Sequence, residues 1–423
     1  MIKKLFFLQF LFIFKWGYAQ QVKLTQYSGG NEPSIAVNPN NNSEIVLAFN
    51  TNTVLKSRDT GKTFAKIKAS SEFGFYGDPV LYWGKNNSIY LAHLAKNKKL
   101  SWPESFDRIV FHSAAFNQKK WNKSTGIGFT LGKMQDKPWF SVDENLNSKF
   151  YNRIYITWTQ FDKYGSKNPL DSSRILFSYS DDNGKTFTLA KPISQLNGDC
   201  KDGDNTLEGA TTCIDSNGTV HCVWSGFDQL WYTKSSDGGV NWTKPLVVCE
   251  HKEGWSMKPP NIFRANGMPF IQIVQDKLLM VWAQKEDNNK NKVIVKWKNL
   301  KDDYWSETQY LNDKLTDELI GEYMPNMVVS NGKAYIVYYQ CENKIRDEKT
   351  YSIVVSELKI LNNKVEVVHK ELVKSDFNAQ NNAFIGDYLG IDDLNLLGNQ
   401  VLVAYTMLDN NYKPYVVVER VEF

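Results

Sequence analysis

Seven eight-residue runs along the chain are almost wholly apolar: "SEIVLAFN", "NSIYLAHL", "NRIYITWT", "GTVHCVWS", "KLLMVWAQ", "KAYIVYYQ" and "NQVLVAYT". They are rich in β-branched and aromatic residues and too short for helices that bury a face, so each predicts a strand. Almost no segment carries the 3.6-residue helical period. Each run follows a turn and is preceded by a second strand that opens on a short polar signature: "NEPSIAV", "GDPVLYW", "DKPWFSV", "EGATTCI", "KPPNIFR", "EYMPNMV" and "GDYLGID". With Glu32, Asp78, Asp136, Glu208, Lys258, Glu322 and Asp387 as markers, the repeats are 46 to 72 residues apart. That is the period of a four-stranded antiparallel blade with variable loops. The expectation is an all-β chain forming a single β-propeller over residues 20–423, with seven blades and a six-bladed ring as the alternative. The fifth signature, with Lys258 where the others carry an acid, fits least well.

The two ends complement each other. The last repeat runs out after its third strand, in "YKPYVVVERVEF", while "QVKLTQYS" is a strand to spare. Val22–Ser28 is therefore expected to supply the missing outer strand and close the ring, which removes an exposed edge. The first residues, "MIKKLFFLQFLFIFKWGYAQ", combine Lys3 and Lys4, an apolar run from Leu5 to Phe14 and a small-residue site ending at Ala19. They predict a signal peptide over residues 1–19, export to a periplasmic, surface or secreted location, and no membrane insertion after cleavage.

Loss of the leader leaves 47 basic against 46 acidic residues. A chain so nearly neutral has no electrostatic footprint for nucleic acid or an anionic membrane. Thirteen Trp, 21 Tyr and 24 Phe fit many short strands and offer stacking surfaces for sugars. Five cysteines leave an odd one. In "TTCIDSNGTVHCVW" a two-residue Asn217-Gly218 turn would set Cys213 opposite Cys222 at a close, non-hydrogen-bonded site. A disulfide there and two buried thiols are both open readings.

Three octets share the pattern Ser-x-Asp-x-Gly-x-(Thr/Asn)-aromatic: "SRDTGKTF" from Ser57, "SDDNGKTF" from Ser180 and "SSDGGVNW" from Ser235. Asp59, Asp182 and Asp237 can accept backbone N–H groups of their own turns. Gly61, Gly184 and Gly239 supply backbone freedom, and Phe64, Phe187 and Trp242 can bury against a blade. The octets resemble the Asp-box of the sialidase (neuraminidase) superfamily. "NEPSIAVNP", "DKPW..VD" and the late "GDYLGI" resemble most closely a bacterial secreted group of sialidase-like proteins. The resemblance implies a propeller, carbohydrate or glycoprotein ligands and a monomer. It also implies that the three octet aspartates are structural, because in that family the box lies on the rim away from the active face.

The resemblance does not extend to the arginine clamp for the sialic acid carboxylate. Where the family carries Arg-Ile-Pro, this chain reads Asn31-Glu32-Pro33. Only seven arginines occur, and Arg264 alone lies near an innermost strand. Bidentate recognition of a carboxylate favours arginine, so cleavage of sialosides is not expected. The chain offers acids instead: Glu32, Asp78, Asp136, Glu208, Glu322 and Asp387, accompanied by Trp139, Tyr323 and Tyr388. Inner strands converge on a propeller axis, so these acids are expected to meet at one mouth of the channel. Three readings are open. In a glycosidase-like site, Asp78, Glu322, Tyr323, Asp387 and Tyr388 would be catalytic, while Glu32, Asp136, Trp139, Glu208 and Arg264 would bind substrate. The acids would otherwise cap strands of the next blade, or several of them would hold Ca²⁺. No cofactor is required, and no histidine pair has zinc-ligand spacing. His93 and His221 leave a polysaccharide lyase open. A non-catalytic propeller binding glycan or protein is the rival to any enzyme.

Overall fold

The computed structural model describes residues 21–423 except 85, 119–120, 313–317, 344–348, 362–363, 381, 395 and 397–398. The leader expected at 1–19 lies outside them. The chain is all-β, with no α-helix among the described residues. Five four-stranded antiparallel sheets are joined by an eight-stranded one. In the latter, two antiparallel groups meet through the single parallel pair Asn291↔Gly321. Each group runs outward in chain order from an inner strand, except that the last takes Gln21–Lys23 as its outer strand. The inner strands are Ser34–Asn38, Val80–Trp83, Met134–Val142, Glu208–Ile214, Phe270–Val274, Leu319–Ser330 and Gly390–Asp393. Each touches the next, and Gly390–Asp393 touches Ser34–Asn38. This is the arrangement of a β-propeller around a central channel.

The core lies between the sheets. Val46, Ala48 and Val54 of one sheet pack on Leu81, Trp83, Ile89 and Leu91 of the next. Cys213, Val223 and Leu230 pack on Leu278, Met280, Trp282 and Ile294 in the same way. Middle strands are thus covered on both faces, which is why they read as unbroken apolar runs rather than as alternation.

The three octets form one turn geometry, and each seals a junction. Ser180 Oγ donates to Asp182 Oδ1 at 2.8 Å, Gly184 N donates to Ser180 Oγ at 2.9 Å, and Thr186 donates to Asp182 through both N (2.9 Å) and Oγ1 (2.6 Å). The same bonds recur around Asp59 and Asp237. At Gly184 (φ +79°) a Cβ would come within 2.4 Å of the Phe111 ring in the preceding sheet, and Phe187 meets that ring edge-on at 5.1 Å. Asn183 and Gly238 also receive bonds from Asn86 and Arg153, beside the turns that follow inner strands. The octets therefore sit at the end of the ring opposite the start of the inner strands.

At the amino end, Gln21–Lys23 pairs antiparallel with Pro414–Glu422, Val22 opposite Val418. Gln21 Nε2 donates to Glu419 Oε2 at 3.0 Å, and Leu24 is buried. Deleting residues 21–28 is expected to remove roughly 2–4 kcal/mol of stability through the lost ladder and apolar contacts. Unchanged urea unfolding of the truncated protein would contradict this.

Two expectations are corrected. The fifth inner strand is Phe270–Val274, not a strand opened by Lys258, which lies in the preceding connection. The true opening is Gly267-Met268-Pro269, and the proline-rich stretch at 258–260 mimicked it. All five cysteines are free. Residues 215–219 form a longer turn, with Asp215 Oδ1 accepting Asn217 N at 2.8 Å and Thr219 N at 2.9 Å. This shifts the register so that Cys213 faces His221 and Cys222 faces Thr212. A one-residue slip sends a side chain to the other face, and the two thiols belong to different cores.

Candidate active site

Six inner strands carry a residue in the left-handed backbone region, within the strand or a few residues before it: Glu32 (φ 52°), Asp78 (51°), Lys137 (46°), Gly209 (67°), Met324 (50°) and Gly386 (97°). In four of them a proline follows (Pro33, Pro79, Pro138 and Pro325), fixing the chain as it enters the strand. This kink aims side chains across the end of the channel. Gly386 is required there, because a Cβ would stand 2.7 Å from Glu32 Cγ.

The centre of the cluster is a cation. Lys137 Nζ donates to Asp387 Oδ2 at 2.6 Å and lies 3.8 Å from Asp78 Oδ2. Arg264 also reaches Asp387, Nη2 to Oδ2 at 2.7 Å, and bonds Asp202 Oδ2 through Nη1 at 2.6 Å. Tyr164 Oη donates to Asp202 as well. On the other side Asn50 Nδ2 donates to Glu32 Oε2 at 2.6 Å, Asp387 N donates to Glu32 Oε1 at 3.2 Å, and Asp78 N donates to Asn50 Oδ1 at 2.8 Å. Arg264 (side chain 26% exposed) and Asp202 (13%) form the solvent edge, above Asp78, Lys137 and Asp387.

The carboxyls divide by environment. Burial, reinforced by neighbouring acids, raises Glu32, Asp78 and Glu208, and lifts Asp136 to about 7. Burial also acts on Asp202 and Asp387, but Arg264 and Lys137 more than offset it. Asp202 is held down to about 2, and Asp387 falls below its ordinary value. Lys137 loses solvation yet is raised well above the usual ammonium value by Asp387, Asp136 and Asp78. The result is four carboxyls raised above their ordinary values beside two lowered ones that match two cations. Neither oxygen of the fully buried Glu208 meets a partner, and Asp387 Oδ1 and Arg264 Nε are likewise unpartnered. Buried unpaired polar atoms are costly; protonation lets Glu208 donate toward Asp202, the neighbour that raises it.

The structure brings together Glu32, Asp78, Asp136, Glu208, Arg264 and Asp387. Tyr388 and Trp139 form the floor beneath them: Tyr388 Oη donates to Pro79 O at 3.2 Å, and its ring meets Trp139 edge-on at 5.9 Å. Glu322 and Tyr323 are elsewhere. Glu322 lies two residues before left-handed Met324, and its Oε2 accepts Val293 N of the neighbouring group at 3.0 Å, a strand cap. Tyr323 is buried in the core beside Cys341. Asp59, Asp182 and Asp237 are at the far end in their turns. His93 pairs with His112 (Nε2 to Nε2, 2.9 Å) and His221 with Tyr232 (2.7 Å), both away from the cluster. No group of three or more His, Cys, Asp or Glu placed to hold a metal occurs among the described residues.

Sequence reasoning missed Lys137, Asp202, Tyr164 and Asn50. Lys137 was within reach: aligning the signatures on their prolines, rather than on acids, puts it level with Glu32 and Asp78. Asp202 and Tyr164 lie on connections with no period.

No family model matches the chain, and no curated protein matches it in sequence. Solved structures do. The NanB sialidase from Streptococcus pneumoniae superposes with a TM-score of 0.51 at 8% identity, over 89% of this chain and 83% of that one. The intramolecular trans-sialidase from Ruminococcus gnavus gives 0.51 at 11% identity, over 82% and 94%. A protein of unknown function from Dyadobacter fermentans gives 0.50 at 10% identity, over 96% and 99%. The chain has a sialidase-like β-propeller fold. At such identities the likeness defines the fold alone.

Proposed function

We propose that this protein is an exported glycoside hydrolase on a seven-bladed propeller, closed by Gln21–Lys23, that cleaves a non-sialylated glycan at the face carrying Lys137. One observation carries the reading: within a single buried cluster, Arg264 and Lys137 hold Asp202 and Asp387 low while burial and neighbouring acids raise Glu32, Asp78, Asp136 and Glu208. That is the arrangement acid–base chemistry needs. Asp78 is the general acid, its carboxyl raised well above the ordinary value by burial and by Glu32. Asp387, ionised between Arg264 and Lys137, is the carboxylate that meets positive charge developing on the sugar ring. Arg264 and Asp202, at the solvent edge, contact the sugar. Sialosides are excluded because Arg264 and Lys137, the cations of the site, are already neutralised by Asp202 and Asp387. The fold likeness supports a glycan ligand, and a monomer suffices for the site.

A non-catalytic glycan-binding propeller is the second reading, favoured by how little of Asp78 and Asp387 reaches solvent. Incubation with a panel of neutral, sulfated and uronate-containing oligosaccharides, followed by mass spectrometry, separates the two. The proposal expects shortened products from at least one class and none from sialyllactose. Binding without products across the panel would move the protein to the second reading.

A further inference from the structure

Beside the cluster, on the same face, the connection between strands Ser88–Leu94 and Ile109–Ala115 folds over a cavity of about 700 Å³. Lys96, Lys98 and Lys99 line it and are exposed, and no carboxylate among the described residues pairs with any of them. The acids nearby are already taken: Asp107 by Arg108 at 2.8 Å, and Glu72 by Lys123 at 3.3 Å. The cavity is therefore a patch of uncompensated positive charge on a chain that is close to neutral overall.

Phe73 and Phe75 add aromatic faces to the lining, and Tyr76 lies beside it. Lys96 Nζ lies 5.2 Å from the centre of the Tyr76 ring, and the Arg108 guanidinium stacks on Phe73 at 4.6 Å. Tyr76 stands two residues before Asp78 of the candidate site. The same connection carries Trp102, 61% exposed, whose ring meets Tyr164 edge-on at 5.5 Å. Tyr164 in turn bonds Asp202 in the cluster. The lysines and Trp102 thus share one connection, and Trp102 reaches the acid cluster through Tyr164. A sugar chain needs flat apolar faces for its rings, and anionic substituents need unpaired cations. A charged surface lacking the rings would serve any anion.

We propose that this groove is a subsite for the anionic groups, sulfate or carboxylate, of a glycan chain whose next residues pass Trp102 toward Lys137. The subsite rests on the proposed function only for what lies at the end of the path. Its test reads binding, so the two fail separately. Calorimetric titration at low salt uses heparin and hyaluronan oligosaccharides of equal length, dextran as the neutral arm and a single-stranded DNA oligomer as a non-glycan polyanion. The expected result is binding of heparin, hyaluronan or both, weakening as salt rises, with dextran much weaker. Stronger heparin than hyaluronan assigns sulfate, and the reverse assigns carboxylate. The triple variant K96A/K98A/K99A should lose about tenfold in affinity, the sum of three exposed charge contacts, and Trp102→Ala should weaken binding further. The control K62A/K185A/K244A removes the same charge from the opposite end and should change nothing. Equal binding of the DNA, insensitivity to Trp102→Ala, or equal loss in the control would overturn the assignment.

Discussion

Replacing Lys137 with methionine is expected to lower the unfolding free energy by about 3–5 kcal/mol near neutral pH, the usual cost of stranding buried charges by removing their partner. Lys137 is 5% exposed and is the ammonium shared by Asp387 and Asp78. Without it Asp387 keeps only Arg264. Methionine fills a similar volume, so the loss reports charge rather than a cavity. The pH dependence carries a sign. Asp387 is lowered in the fold, so its contribution is present above the unfolded carboxylate value, about 3.9, and is lost as pH falls through the folded value. Lys137 itself is raised, so its contribution persists throughout the range below the unfolded ammonium value. The deficit of the variant should therefore be large at pH 7.5 and smaller near pH 3. Urea unfolding at both values checks this; equal stability of variant and parent at pH 7.5 would mean that the cluster does not depend on its cation.

Asp78→Asn is expected to lower turnover of any glycan hit by roughly 10²–10⁴, the usual contribution of a positioned general acid. Asparagine keeps the backbone bond from residue 78 to Asn50 and nearly the same volume, so melting should be little changed. Only the transferable proton is lost. Because the Asp78 carboxyl is raised by burial and by Glu32, parental activity should fall on an alkaline limb as Asp78 ionises, and the variant should lack that limb. Asp136 is the control. Its Oδ1 accepts Lys137 N at 2.8 Å, so it braces the chain, and Asp136→Asn should keep turnover within about tenfold. The assignment fails if Asp78→Asn turns over at the parental rate.

The fold was legible because its signal is repetition. Middle strands are buried on both faces, and seven of them wrote the same apolar run. The octets were legible because an aspartate, a glycine and an aromatic each have one mechanical duty in that turn. The site was legible only in part. Glu32, Asp78, Asp136, Glu208 and Asp387 were found because a repeated end position converges on an axis. Glu322 shares the sequence signature but lies two residues before the kink, where its side chain turns to the neighbouring strand group instead. Lys137 stood one residue beyond the chosen marker and carried the wrong sign for a search aimed at acids. The Cys213–Cys222 register failed on turn length: Asp215 organises five residues where the sequence read two. Asp202, Tyr164 and Trp102 come from long connections, whose positions no local rule specifies.

The central claim is that one cluster shifts its carboxyls in opposite directions. Its most direct test is a ¹³C-carboxyl NMR titration of protein labelled at Asp and Glu, assigned with single Asn and Gln variants. The account predicts that Asp78 and Glu208 titrate well above the ordinary carboxyl range, that Asp136 titrates near 7, and that Asp202 is still ionised at pH 3. Ordinary titration of all four groups near pH 4 would contradict it.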